Sequence, residues 1–591
     1  METGALQKTI QNFLRTGLPK GQQIASEGRC IAGQISIGRT RFLSEMGFAS
    51  EADYKRHCML NNKIMYHAHI GMSSWSATAD ALIRLYGESK KMNFSVDRFG
   101  LCLERRMGLP KSHRAGIPAE TGPMLESKKD WTAVAQTVPI QPHLGDFMIG
   151  FPAARDNTVM ALEEGITSIG NLSQFFSHEV PDWNDHVTTT VETVKAIALL
   201  GSLRSQGTML HSYLEDGYGA LFLDCATVAG WAYLERYIVE DLLGAKLSHC
   251  IGGLTSDPVK RAGWVFAMND IHNNDCLGTM FYGDTISFTR DLTRNNGLVS
   301  EYLLWDILAQ LECPTGHAVH PLPSTEGIRV PSVEEIIEAQ NLGRRVEESA
   351  RRLHPHIDFS SSKNFAAKMV DQGKKVCDNA LQGLKEFGVD IADAVQLLYV
   401  LKKIGPAAFE QQFGVGKKNL DNPRGRDPLV MTDIFKRSNE IFEDQRDLFH
   451  DPVNQRLLKG KRLLIASSDV HEHAIILLNQ LCREAGALSQ YLGAEKSASE
   501  VALAAANHPC DAILISTHNG MALEYARLLK AELKKNNIDI PVMMGGLLNQ
   551  KVEGKQLPVD VTTDLARLGF VPHGYLKTDF RKLLESENTR T

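Results

Sequence analysis

The apolar run Leu463-Leu-Ile-Ala466 breaks at Ser467, Ser468 and Asp469, and no other stretch constrains the fold as strongly. Apolar residues running into turn and cap formers read as a buried strand leaving a sheet. Ile475, Leu478, Leu481 and Cys482 then recur at helical spacing up to Gly486, a natural C-terminal stop. Two more apolar strands follow: 512–516, running into Thr517-His518-Asn519-Gly520, and 541–544, running into Gly545-Gly546. All three strand ends fall on one edge of an α/β sheet, where such sheets bind ligands. His471 lies on the first of these loops. Asp469, two residues earlier, is placed to hold the imidazole in one tautomer, as carboxylates do for metal-bound histidines. One His and one Asp do not complete a metal site, so the remaining ligands would belong to a cofactor. Taken alone, the same pair could simply cap a helix.

Together, the Asp-x-His, the Ser-bearing strand end and the Gly-Gly strand end resemble the B12-binding domain of base-off cobalamin enzymes over 458–591. The resemblance implies a flavodoxin-like domain with His471 as lower axial ligand of cobalt and Asp469 as its hydrogen-bond partner. Ser516 would meet the nucleotide tail, and Gly545 and Gly546 would let the backbone pass close to it. Glu472, Ala474, Thr517 and Gly520 flank these residues and complete the expected cofactor site. Ala474 stands where the family has Gly, and His518 where it has Leu; the second makes the tail pocket more polar.

A chain of 591 residues exceeds what one core supports, so several domains are expected. A net charge of −6 gives no reason to expect nucleic acid or an anionic membrane. The ten cysteines include no Cys-x-x-Cys pair, which points to a reduced, cytoplasmic setting. No apolar run approaches the roughly 20 residues of a membrane span. Cys102, Cys225, Cys276 and Cys313 read as small buried hydrophobes.

Between 60 and 330, apolar runs alternate with helical segments. Candidate strands are 64–70, 94–97, 138–144, 166–169, 208–214, 246–251, 276–282 and 311–313. Eight such repeats fit a (β/α)8 barrel in residues 1–331, whose catalytic groups would sit at the carboxyl ends of its strands. His67 and His69 alternate as a strand requires and could both reach the mouth. Residues 332–457 repeat apolar positions at helical spacing and read as a helical extension joining the barrel to the cofactor domain.

This order of domains resembles the adenosylcobalamin-dependent carbon-skeleton mutases. Gly150-Phe-Pro-Ala-Ala-Arg155, Glu164-Gly-Ile-Thr-Ser168, Thr315-Gly-His317, Arg329-Val-Pro331 and Glu334–Gln340 are similar to segments of the glutamate mutase and 2-methyleneglutarate mutase group. The resemblance implies an isomerase that uses adenosylcobalamin and radical chemistry on a small carboxylic acid. Glutamate itself is not expected. Where the family has carboxylate-binding arginines this chain has Leu101 and Pro142 or His143, and where it has a catalytic Glu it has Ile169 or Gly170. A substitute clamp is expected from Arg98, Arg105 or Arg106 with His69 and His143, because guanidinium binds carboxylate bidentately. A homo-oligomer is expected. A corrinoid methyltransferase and a non-enzymatic cobalamin-binding protein stay open as alternatives. A pyridoxal phosphate aminomutase is disfavoured, since no lysine occurs between His471 and Glu495.

Overall fold

A computed structural model describes residues 3–15, 17–419, 422, 424–469, 473–552, 555 and 557–573. The chain divides into two compact units. The first comprises Met1–Lys111, Pro123–Ser177 and Asn184–Phe435; the second comprises Ser112–Gly122, His178–Trp183 and Lys436–Thr591.

The first unit is built on a curled parallel sheet. Its strands are β1 (Met65–Ile70), β2 (Arg98–Leu101), β3 (Gln141–Leu144), β4 (Ser168–Ile169), β5 (Met209–Tyr213), β6 (Leu247–Ile251), β7 (Met280–Phe281) and β8 (Ala318–Val319). Each pairs with the next in chain order, and β8 pairs back to β1 through Met65↔Ala318 and Tyr66↔Val319. Helices between the strands bury their apolar faces against it.

Two expected strands lie elsewhere and a third is shorter. The second begins at Arg98 rather than ending at Asp97; the Asp97 carboxylate instead binds Tyr66 N at 2.8 Å and Lys63 Nζ at 2.7 Å. The seventh shrinks to two residues because Cys276–Thr279 turns, with Gly278 at φ +87°. Leu311 is the last apolar position of the helix Leu292–Glu312, and the eighth strand follows six residues later. Short apolar runs do not separate helix from strand by periodicity.

The helix Val333–Leu353 starts with a capping box from Ser332 and Glu335. It lies against β1, where Gln340 donates to His67 O at 2.8 Å and Tyr66 Oη donates to Gly343 O at 3.0 Å.

In the second unit the strands are β9 (Arg462–Ser467), β10 (Leu488–Gly493), β11 (Ala512–Thr517), β12 (Val542–Gly546), the short antiparallel pair β13 (Asn549–Gln550) and β14 (Val559–Asp560), and β15 (Val571–His573). The parallel sheet runs β10-β9-β11-β12-β15. Alternate residues feed two cores. Leu464, Ile513, Ile515 and Met544 pack with Tyr525 and Leu529 on one face. Leu463, Ile465, Leu514 and Met543 pack with Ile475, Leu481 and Cys482 on the other. A parallel sheet covered on both faces needs such near-continuous apolar strands. The strand order reverses beside β9, the position at whose carboxyl end open α/β sheets bind ligands.

Candidate functional site

The strand ends at this reversal in the second unit are organised by Asp469. This carboxylate is fully buried just past β9, and its Oδ2 accepts from the backbone N–H of His518 and, at 3.2 Å, of Asn519. It therefore fixes the loop leaving β11. Ser467, Ser516 and Gly545 are register partners on three adjacent strands, so they line one row of the sheet with little side-chain bulk. On the opposite face Thr517 is fully buried, and its hydroxyl has no partner among the described residues. Gly546 sits at φ +96°, where a Cβ would meet Thr517 O at 2.2 Å; only glycine fits this strand end. Gly520, at φ +73°, faces Thr121 Oγ1 in the same way. Both glycines thus have a reason to be glycine within the fold itself.

The first unit concentrates imidazoles inside its sheet. The His143 ring lies 4.8 Å from that of His211 and 6.2 Å from that of His67; His67 in turn lies 5.1 Å from His320. His143 also contacts Ser168 O at 3.0 Å. Burial first, and then the positive charge of Arg98, hold His143 and His211 well below the usual imidazole range. For His67 and His320, burial and then the neighbouring histidines act in the same direction. These four rings are therefore neutral at pH 7.

His69 differs. It is half-buried at the end of β1, with Nδ1 2.6 Å from Tyr282 Oη and Nε2 3.7 Å from Asp146 Oδ2. Burial disfavours its charge, but Cys102 and Asp146 outweigh burial and hold it well above the usual range.

Below this layer lies a buried charge cluster. Arg98 is fully buried, with Nη2 2.9 Å from Ser168 Oγ, Nη1 2.5 Å from His317 Nε2 and Nε 3.2 Å from Glu51. Glu51 also pairs with the fully buried Lys55 at 2.7 Å. In register, Arg98 aligns with His67 and Gln141, while His69, Gly100 and His143 form the next row toward the carboxyl ends.

Part of the chain is similar to a known mutase subunit. The glutamate mutase sigma subunit of Halobacterium salinarum is 38% identical over 81 residues, covering 14% of this chain and 54% of that relative. The chain thus spans about half the length of the curated relative it matches. No family model matches the chain.

Of the residues the sequence singled out, His69 and His143 converge with His67, and Ser516, Thr517, Gly545 and Gly546 share one strand edge with Asp469. The three arginines do not converge. Arg98 belongs to the deeper Glu51 cluster, because its side chain starts at the amino end of β2. Arg106 forms a two-point pair with Glu104. Arg105 is buried on the turn after β2. Ala474 is exposed on the helix His473–Glu484. His471 and Glu472 lie outside the described residues. Sequence reasoning missed the roles of Cys102, Asp146, Tyr282 and His320. Cys102 read as a buried hydrophobe but is only half-buried, beside His69. The available signal was position: Cys102 and Asp146 both stand within two residues of a strand's carboxyl end.

Proposed function

We propose that this chain is an adenosylcobalamin-dependent mutase that rearranges the carbon skeleton of a small carboxylic acid other than glutamate. The observation that carries the reading is the doubly wound sheet with Asp469 at the strand end where its order reverses, beside Ser516 and Gly545-Gly546. The similarity to a protein named glutamate mutase sigma subunit supports the same class. The residues present fit the cofactor. The row Ser467–Ser516–Gly545 carries only small side chains, which suits the close approach of a slender nucleotide tail, and on the other face of the sheet the buried Thr517 hydroxyl has no partner among the described residues. His471 would ligate cobalt, with Asp469 holding the loop beside it.

When bound, the cofactor supplies hydrogen abstraction by radical chemistry. The protein's part is to orient the substrate and keep water out. His69 and His143 at the barrel mouth, with Arg105 on the neighbouring turn, are the residues proposed to bind the substrate. Arg98 supports the layer beneath through Ser168 and His317. A homo-oligomer belongs to the same proposal. No helix among the described residues is long and apolar enough to cross a membrane.

The test is electron paramagnetic resonance of the cob(II)alamin form in protein labelled with ¹⁵N-histidine. A histidine-nitrogen splitting that His471→Ala removes is expected. A splitting from the cofactor's own dimethylbenzimidazole nitrogen would sink the assignment.

A further inference from the structure

Three consecutive strands bring a nitrogen, a sulfur and an oxygen ligand to one point. His69 is the penultimate residue of β1, Cys102 directly follows β2, and Asp146 stands two residues beyond β3. One ligand atom from each lies within 4.8 Å of the other two. The His69 Nε2–Asp146 Oδ2 separation is already 3.7 Å. A tetrahedral zinc site, with bonds of about 2.0–2.3 Å, spaces its ligand atoms by roughly 3.3–3.7 Å, so small rotamer adjustments suffice.

The surroundings are built for these side chains. Tyr282 Oη holds His69 Nδ1 at 2.6 Å, which leaves Nε2 toward Asp146, as the outer partners of metal-bound histidines do. A Cβ at Gly71 would stand 2.6 Å from Cys102 Cβ, and one at Gly100 would stand 2.9 Å from His69 Cδ2. Two of the three ligands therefore occupy space that only glycine leaves open. Next to them is His320, 1% exposed, with neither ring nitrogen partnered among the described residues and its ring 5.7 Å from that of His69. A buried imidazole without partners carries a desolvation cost that a nearby ion or its bound water would relieve.

We propose that His69 Nε2, Cys102 Sγ and an Asp146 carboxylate oxygen bind a zinc ion at the carboxyl ends of β1, β2 and β3. The mixed nitrogen, thiolate and carboxylate set suits a borderline divalent ion rather than magnesium or calcium. On binding, the Cys102 thiol and the His69 imidazolium each give a proton to solvent, and the freed lone pairs of Sγ and Nε2 form metal bonds; no electron changes hands. Three protein ligands leave a fourth position for water or for a ligand oxygen, as in catalytic zinc sites. Under the mutase reading that oxygen belongs to the substrate carboxylate, so that His69 holds the substrate through the ion rather than by direct contact, and that role rests on the reading. The metal site itself does not.

Full-length protein produced without cobalamin is loaded with zinc chloride, desalted and analysed by inductively coupled plasma mass spectrometry. About one zinc per chain is expected for wild type, and under about 0.2 for His69→Ala, Cys102→Ser and Asp146→Asn. Replacing zinc with cobalt(II) in the same cobalamin-free protein should give a thiolate-to-metal charge-transfer band, lost in Cys102→Ser. Wild type without zinc, or all three variants with wild-type zinc, overturns the proposal. If circular dichroism shows that Cys102→Ser does not fold, the wild-type band decides, and its absence is equally fatal. His471→Ala should keep its zinc, so failure of the cobalamin reading and failure of the metal site are distinguishable.

Discussion

A guanidinium with no exposed surface persists only if its charge and its donors are matched, and Arg98 shows how this curled sheet achieves that. Glu51 supplies the charge, and Ser168 and His317 take the remaining hydrogen bonds. This is a structural commitment, and it withdraws Arg98 from direct work on a substrate. One row above, Gly100 sets how closely the histidines of β1 can approach. A methyl group there would stand 2.6 Å from His67 Nε2 and 2.9 Å from His69 Cδ2. Gly100→Ala should therefore cost about 1–3 kcal/mol in urea unfolding, the usual range for overpacking. Gly87, inside the helix Trp75–Lys91, has nothing within 4 Å of its Cβ position. Gly87→Ala should gain roughly 0.5–1 kcal/mol from helix propensity. If both variants move in the same direction, the crowding argument for Gly100 is wrong. His67 and His69 were legible in the sequence because strand alternation puts both on one side. Cys102 and Asp146 were not, because they lie beyond the periodic residues, in loops whose course only the fold sets.

At the scale of elements, the contact between the helix Pro406–Phe413 and the start of the helix Cys225–Arg236 is governed by one carboxyl group. Glu410 is 3% exposed and accepts from the backbone N–H groups of Leu223 and Asp224, both at 2.9 Å. Burial, opposed by those two hydrogen bonds, pushes its pKa up to about 7. The folded chain therefore holds this proton between about pH 4.5 and 7, where the unfolded chain has lost it. The stabilisation is complete below about pH 4.5 and is lost as pH rises through 7, on the order of 3–4 kcal/mol at one pKa unit per ~1.4 kcal/mol. Glu410→Gln should flatten this part of the stability profile while costing about 1–3 kcal/mol at pH 5, since its amide nitrogen turns toward a backbone donor. An unchanged slope between pH 5 and 8 would refute the assignment. Elements with a long or isolated apolar run, such as β1 and β9, were readable from pattern alone. The second and eighth strands were not. Leu311 continues a helix and Phe94–Asp97 only leads into the second strand, and the ladder partners that settle the matter lie far away in sequence.

For the molecule as a whole, the two units have separate cores. The sheet of the second unit is closed off on both faces by its own helices. Units with independent cores unfold in their own cooperative steps. The tryptophans make this measurable. Five of the six, Trp75, Trp131, Trp231, Trp264 and Trp305, lie in the first unit, and Trp183 alone lies in the second. In a Trp183→Phe background, indole fluorescence reports the first unit alone, while far-ultraviolet circular dichroism reports both. The two urea curves should not superimpose, and the dichroism curve should show a step that fluorescence lacks. Cobalamin at about 100 times its dissociation constant should stabilise that step by about 2.7 kcal/mol, because ligand binding to the folded unit adds RT ln(1 + [L]/Kd). Curves that coincide in both the presence and absence of cobalamin would mean that the chain unfolds as one body, and the division into separately stable units would fail.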